Sequence, residues 1–242
     1  MSSTAPTSRK RDAGSTVRLL KNAVLFSVLD ESLLQELAQV ATFRTYARAD
    51  RLWSQGEDAT FFTIIVFGIV KIVRPAREGE ESIIGLFGPG ESVGEIAVLG
   101  PRHFPADAVV ASEQAEVLRV DAAPVRVRLA SDVNLASSVN KACLAHGQAL
   151  FDKIKIMSAG SVPRRLATLL LHLAERFGDE LEGSEVTIPL PLRRSELAHL
   201  IGATVETTIR AVRKWERAGL LQTNKDGFVL RGLDELRAVA KG

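Results

Sequence analysis

The 242-residue sequence holds a single cysteine, Cys143, so it can form no internal disulfide and no all-cysteine zinc or iron–sulfur site within one chain. Histidine is scarce as well. The four, at 103, 146, 172 and 199, lie far apart and form no HExxH or HxH pair, which argues against a histidine-rich metalloenzyme. No apolar run reaches the roughly 18 residues that a membrane span needs. The polar N-terminus has no apolar signal core, so a cytoplasmic protein is expected. Neither sign of charge dominates: 31 Lys and Arg stand against 29 Asp and Glu, a net +2. Any basic surface for a nucleic acid must therefore be local. What is present, 46% hydrophobic and 25% charged residues, is ordinary for a globular protein and argues against wholesale disorder or collagen. The length suits one large domain or two modest ones.

Residues 1–16 are polar and Ser/Thr-rich, with a basic cluster Arg9-Lys10-Arg11, and are expected to form a disordered tail. Between Val17 and Val40 the apolar spacing suits short amphipathic helices, with Asp30 placed to cap the one carrying Leu33, Leu34 and Leu37. From about Phe43 to Val120, short apolar runs separated by Gly, Pro and charged residues predict a compact all-β unit. From Pro124 to Met157 the period becomes helical. Val139, Cys143, Gly147, Leu150, Ile154 and Met157 recur at spacings of three and four and form a seam like that of a coiled coil. Such a seam between two domains predicts pairing with a second copy; the alternative is packing on its own β unit. Ser158–Val162 is a small-residue break, expected as a hinge. Beyond it come a helix over Arg164–Phe177, a strand within Val186–Leu192 whose prolines suit a sheet edge, two helices divided at Gly202, a hairpin around Asp226-Gly227, and a last helix over Leu233–Ala240.

The segment from Ser195 to Leu221 carries chemistry. Thr204 is a good N-cap for the helix that follows Gly202. That helix should bury Thr208, Ala211, Val212 and Trp215, and expose Val205, Glu206, Ile209, Arg210, Arg213, Lys214 and Arg217. Glu206 and Arg210, four apart, share a face near the N-terminal end, which a recognition helix presents to base edges in the major groove. Arginine can donate two hydrogen bonds to guanine, and a carboxylate can accept from cytosine. Arg213, Lys214 and Arg217 lie further along, better placed for phosphates, which give affinity without sequence information. The hairpin would be a wing. The bland alternative is a helical pair with an exposed i,i+4 ion pair.

Several stretches, in order, resemble the cyclic-AMP-receptor/fumarate-nitrate-regulator (CRP/FNR) family of bacterial transcription factors: NAVLFSVLDESLLQELA, the glycines of SQGED, VFGIVKIV and LFGPGESVGEIAVL, then RRLATLLLHLAERFG, IPLPLRRSELAHLIG and VETTIRAVRKWERAGLL. The resemblance covers nearly the whole chain after residue 17. It implies an α+β protein with a cyclic-nucleotide-binding-like β-roll at 17–123, a dimerisation helix and hinge at 124–158, and a C-terminal winged helix-turn-helix at 159–242. By position it implies base-reading roles for Glu206 and Arg210, and phosphate contacts for Arg194, Thr204 and Thr207. Val205 stands where the cyclic-AMP branch has another base-reading arginine, and Ile209 replaces a commoner serine or glycine. The implied partners are double-stranded DNA with a near-palindromic site, a second copy of the chain, and RNA polymerase.

Family members that bind cyclic nucleotide follow a Gly-Glu pair in the β-roll with Arg-Ser, which holds the cyclic phosphate. This sequence keeps Gly94-Glu95, but Phe104-Pro105 takes the place of Arg-Ser. Phenylalanine has no charge, and proline has neither a hydroxyl nor a backbone donor. Asp107 adds negative charge nearby, and Arg102 is the one cation close enough to substitute. Leu150 and Phe151 fall where the cyclic-AMP branch places polar adenine contacts. A buried phosphate without a cation is strongly disfavoured, so cyclic AMP is not expected as the effector. An apolar-lined pocket for another ligand, or none, remains. No cofactor is expected; haem through His103 is an alternative. An enzyme of cupin type would need clustered metal ligands that the sequence lacks. A ligand-binding scaffold without DNA binding would lack the set Glu206, Arg210 and Arg213.

Overall fold

The computed structural model describes residues 7–9, 12–75, 81–100, 102–129, 131–181 and 185–241. The chain packs as two units. The first runs to Gln148 without residues 75–83; the second comprises residues 75–83 and Ala149–Gly242.

The first unit opens on strand β1 (Thr7–Arg9), helix α1 (Ala13–Asn22), a 3-10 turn (Val24–Phe26) and helix α2 (Glu31–Val40). Half of the segment assigned to a disordered tail is thus ordered: β1 pairs antiparallel with β2 (Thr42–Ala47), and Asp12 caps α1, which begins at Ala13, by accepting from the Ser15 N–H at 3.1 Å. The rest of that tail, residues 1–6, 10 and 11, lies outside the described residues. Asp30 caps α2 as its position predicts, accepting from the Leu33 N–H at 2.8 Å.

The β strands that follow are β3 (Arg51–Trp53), β4 (Phe61–Phe67), β5 (Val70–Pro75), β6 (Glu81–Phe87), β7 (Ser92–Val93), β8 (Asp107–Val110) and β9 (Gln114–Asp121). They form two sheets, ordered β1-β2-β9-β4-β7 and β3-β8-β5-β6. The long strand β4 is buried on both faces along Phe61–Ile65, and β9 buries Ala115 and Val117 on one face and Leu118 and Val120 on the other. Phe26 meets Phe62 edge to face at 5.9 Å, which fixes the helical layer on the first sheet.

The single helix expected over 124–158 is two. Helix α4 (Ala123–Arg128) ends before Asp132, whose carboxylate caps α5 (Val133–Ser158) by accepting from the N–H groups of Asn134 and Leu135. The first turns of α5 bury Leu135, Ser138 and Ala142 in the first unit, with Val139 packed against the same core. Val139 therefore does not belong to the exposed seam that its spacing suggested.

In the second unit, α6 (Val162–Phe177) buries Leu166, Leu169, Leu170 and Leu173. A small sheet of β10 (Asp179–Glu180), β11 (Val186–Ile188), β12 (Leu221–Asn224) and β13 (Gly227–Leu230) runs in the order β10-β11-β13-β12. β11 is flanked on both sides, not an edge as its prolines suggested. The strand ends at Ile188, so Pro189 and Pro191 fall outside the ladder where a missing donor costs nothing. Between β11 and β12 lie α7 (Arg194–Ile201) and α8 (Val205–Arg217); α9 (Leu233–Lys241) closes the unit. No helix among the described residues is long and apolar enough to cross a membrane.

Candidate nucleic-acid interface and effector region

Gly202 sits between α7 and α8 in the left-handed region, φ +59°, which favours glycine. Arg165 on α6 donates to the carbonyls of Ile201 and Gly202 at 2.7 and 2.8 Å, satisfying the open end of α7. The turn is thus fixed from outside as well as by its own backbone.

Thr204 caps α8: its hydroxyl oxygen accepts from the Thr207 N–H at 3.2 Å. Thr208, Val212 and Trp215 face inward, as expected, while Ala211 is half-buried. Glu206, Arg210, Arg213, Lys214 and Arg217 are exposed along one side; Val205 and Ile209 are half-buried between them. No ion pair joins Glu206 to Arg210 among the described residues. Arg210 instead donates to the Thr207 hydroxyl at 3.2 Å, and Thr204 donates to the same oxygen at 2.9 Å. Thr207 accepts twice and keeps its own proton to give.

Arg194 is held inside the domain. Its guanidinium donates to Glu216 Oε1 at 3.2 Å and to Thr223 Oγ1 at 3.0 Å, and Thr223 also donates to Glu216 at 2.7 Å. This clasp ties α7, α8 and the wing strand β12 together. The wing turn is Lys225-Asp226, with Asn224 opposite Gly227. Asn224 closes it by accepting from the N–H groups of Asp226 and Gly227.

In the first unit, Gly94 and Glu95 open the short helix α3 (Glu95–Leu99). Gly94 has φ +101°, and a Cβ there would stand 3.3 Å from the Phe104 ring. Glu95 is buried. Phe104 is 1% exposed. Its ring stacks on Trp53 at 4.2 Å and leans on Phe61 at 5.4 Å, and Trp53 meets Phe61 edge to face at 5.9 Å. The Trp53 indole donates to the Ala106 carbonyl at 3.0 Å. Backbone bonds hold the segment across the loop at 55–58: Gly56 donates to Phe104 and Phe104 to Glu57. Phe104 is therefore a core residue of an aromatic cluster rather than the lining of an empty pocket.

Pro105 is exposed, and its carbonyl accepts from Arg74 Nε at 3.0 Å. Arg102 is exposed, at φ +67°. Asp107 is buried and engaged, bound to Arg51 Nε at 3.2 Å and to the Gln55 N–H at 2.6 Å. Its charge is thus neutralised locally. His103 is exposed and paired with Asp58 at 3.0 Å. Among the described residues no cluster of three or more His, Cys, Asp or Glu could hold a metal.

Spacing alone did not reveal Trp53 and Phe61, which join Phe104 from distant strands, or Arg119, whose guanidinium lies 3.3 Å from the Phe61 ring centroid. Burial, and then the neighbouring Arg44, hold Arg119 below the usual arginine value. Leu150 and Phe151, assigned to the effector region, belong to the second unit and are exposed on α5. Leu144, Leu150, Phe151, Ile154 and Met157 are between 44% and 68% exposed, an apolar stripe that the expected seam described without Leu144 and Phe151. Cys143 is also exposed, and a Cβ on Gly147 would meet nothing.

A β-roll followed by a helix-turn-helix with a wing, its second helix basic on the outer face, defines a DNA-binding regulator with an effector-type domain. Comparison with known proteins agrees. Residues 43–132 match the cyclic nucleotide-binding domain, and residues 164–239 match the Crp-like helix-turn-helix domain. The chain is 24% identical over 223 residues to the CRP-like cAMP-activated global transcriptional regulator of Mycobacterium tuberculosis, covering 92% of this chain and 99% of that protein. It is 25% identical over 221 residues to the nitrogen fixation regulation protein FixK of Bradyrhizobium diazoefficiens, covering 91% and 90%. The fold matches the structure of FixK2 from Bradyrhizobium japonicum with a TM-score of 0.68 at 22% identity, covering 83% of this chain and 97% of that one. The chain belongs to the CRP/FNR family of DNA-binding transcription regulators and is not an enzyme.

Proposed function

We infer that this regulator binds a near-palindromic DNA site as a homodimer, in the cytoplasm, and is not controlled by cyclic AMP. The observation that carries the DNA reading is the outer side of α8, where Glu206 and Arg210 project near a Thr204-capped N-terminus. Glu206 and Arg210 read base edges, with Val205 and Ile209 making apolar contacts beside them. Arg213, Lys214 and the free hydroxyl proton of Thr207 contact phosphates. Thr204 acts as the cap, and Arg194 positions the wing and contacts a phosphate. Random-sequence selection followed by gel-shift tests this: a defined motif with two half-sites is expected, and uniform binding to all sequences would overturn it.

The exposed apolar stripe on α5 supports self-association. Five large apolar side chains in one stripe on a charged helix are costly to leave in water. Two such helices in a parallel pair would bury both stripes.

The aromatic cluster at Phe104 supports the effector reading. The mycobacterial relative is named for activation by cyclic AMP; here the position of the implied phosphate-binding arginine is a stacked core phenylalanine. We read the chain as working without a resident cofactor and, once on DNA, as contacting RNA polymerase.

A further inference from the structure

Strand β6 is the outer strand of its sheet among the described residues, so one of its edges has no strand beside it. Carbonyls two residues apart on a strand point to the same edge. Those of Glu81 and Ile83 are two apart, and each is taken by a side chain from a different helix. Lys153 Nζ on α5 donates to the Ile83 carbonyl at 2.6 Å. His199 Nδ1 on α7 lies 2.8 Å from the Glu81 carbonyl oxygen and, since a carbonyl only accepts, carries the proton there. All four residues belong to the second unit.

The two bonds span a break between helices. α5 ends at Ser158 and α6 begins at Val162, with Gly160 between them at φ +91°. A short break of this kind is where one helix can pivot on another. Met157 lies one turn beyond Lys153 on α5, and a Cβ on Gly202, in the turn between α7 and α8, would stand 3.0 Å from its Cε. α5 thus meets the helix-turn-helix directly at Met157 and a second time through β6. Lys153 is half-buried, and burial holds its pKa below the ordinary lysine value. Its ammonium gives up water there and gains one charge-assisted bond. With both bonds in place, Glu206, Arg210 and Arg213 on α8 remain exposed, so the arrangement leaves the DNA-reading side open.

We propose that β6 splints α5 to α7 through Lys153 and His199, and so fixes the recognition helix relative to the pairing helix. The proposal rests on the reading of a dimer on two half-sites and names the residues that set half-site spacing. A rigid link gives the second recognition helix a high effective concentration at one spacing, whereas a loose link spreads it over many.

The test uses the full chain in gel-shifts on the selected operator, on a single half-site, and on the operator with one base pair inserted, which turns one half-site by about 35°. The parent should lose about tenfold on insertion. Lys153→Met and His199→Leu should each bind the operator about tenfold more weakly, bind the half-site like the parent, and lose less than about threefold on insertion. Lys153→Arg and His199→Asn keep a donor and should restore the parental spacing dependence. Equal losses on half-site and operator, or parental spacing dependence in both the Met and the Leu variants, would overturn the splint. Hydrogen exchange without DNA gives a reading independent of the operator: amides of residues 159–162 should exchange about tenfold faster in the Met and Leu variants. Unchanged exchange would overturn the proposal as well. A parent that ignores spacing while these variants exchange faster would sink the two-half-site reading and support the splint.

Discussion

Phe104 lies nearly flat on Trp53, with ring centroids 4.2 Å apart and planes 15° from parallel. The pair joins β3 to the loop before β8, and Phe61 closes it from β4. Phe104→Ala should remove a fully buried ring and cost about 3–5 kcal/mol, as for other buried aromatics. Denaturant unfolding followed by Trp53 fluorescence measures this. A cost below about 1 kcal/mol would mean that the cluster collapses around the gap and that Phe104 is not structural.

The same stack governs the response to nucleotides. Neither cyclic AMP nor cyclic GMP should bind at micromolar concentration, because a cyclic phosphate brought to this place finds an aromatic ring and a proline. Losing a charge-assisted partner for an ion costs roughly 1.5–3 kcal/mol before desolvation is counted, and each 1.4 kcal/mol is about tenfold in affinity. Calorimetry with each nucleotide decides it, and micromolar affinity for either would overturn the reading.

On α8, Arg210→Ala should cost about 1–3 kcal/mol on the selected site and relax discrimination at one base pair. Arg213→Ala should weaken all sequences alike and reduce the salt slope by about one. Equal losses on specific and random DNA from both changes would mean that the two arginines have no separate roles.

The order of elements was legible because their periods differ: alternation and glycine from Phe43 to Val120, three-and-four spacing on either side. The inward side of α8 was legible from Thr204, Thr208, Val212 and Trp215, while Val205, Ile209 and Ala211 at its borders are half-buried. Three features were not. A β1 strand of three polar residues has no apolar alternation to announce it; its pairing with β2 supplies the order. Val139 lies on the border between two stripes of α5, and a helix with one face on a β unit and another exposed yields an ambiguous period. The aromatic cluster draws on positions 53, 61 and 104, and local spacing does not encode contacts between strands of two sheets.

The exposed stripe of α5 leads to a test of assembly. Ile154→Lys places two like charges across a symmetric contact and should yield monomers with weak binding to the two-half-site operator. The recognition helices of a dimer must meet successive major grooves, about 34 Å or about 10 base pairs apart. A monomer can engage one half-site at a time. Sedimentation of parent and variant, beside gel-shift on full and half sites, reads both effects. A parent that is monomeric at micromolar concentration would end the dimer reading.

His172 gives the C-terminal unit a pH dependence whose sign can be worked out. Burial and Arg176, with a smaller share from Lys155, hold its folded pKa below the ordinary 6.5; Asp152 and Glu175 act in the opposite direction and do not prevail. Unfolding returns the imidazole to the ordinary value. Between the depressed folded pKa and 6.5 the unfolded chain binds a proton that the folded chain does not, so stability rises with pH through this window. The contribution is complete above 6.5 and is lost as pH falls through the folded value. The thermal midpoint should therefore drop as pH is lowered from about 7 to about 5. His172→Gln should flatten the part of that drop nearest neutrality, while carboxylate titration at lower pH remains. The comparison is between slopes, because the substitution itself can move the absolute midpoint. Identical slopes in parent and variant would show that His172 titrates the same way folded and unfolded.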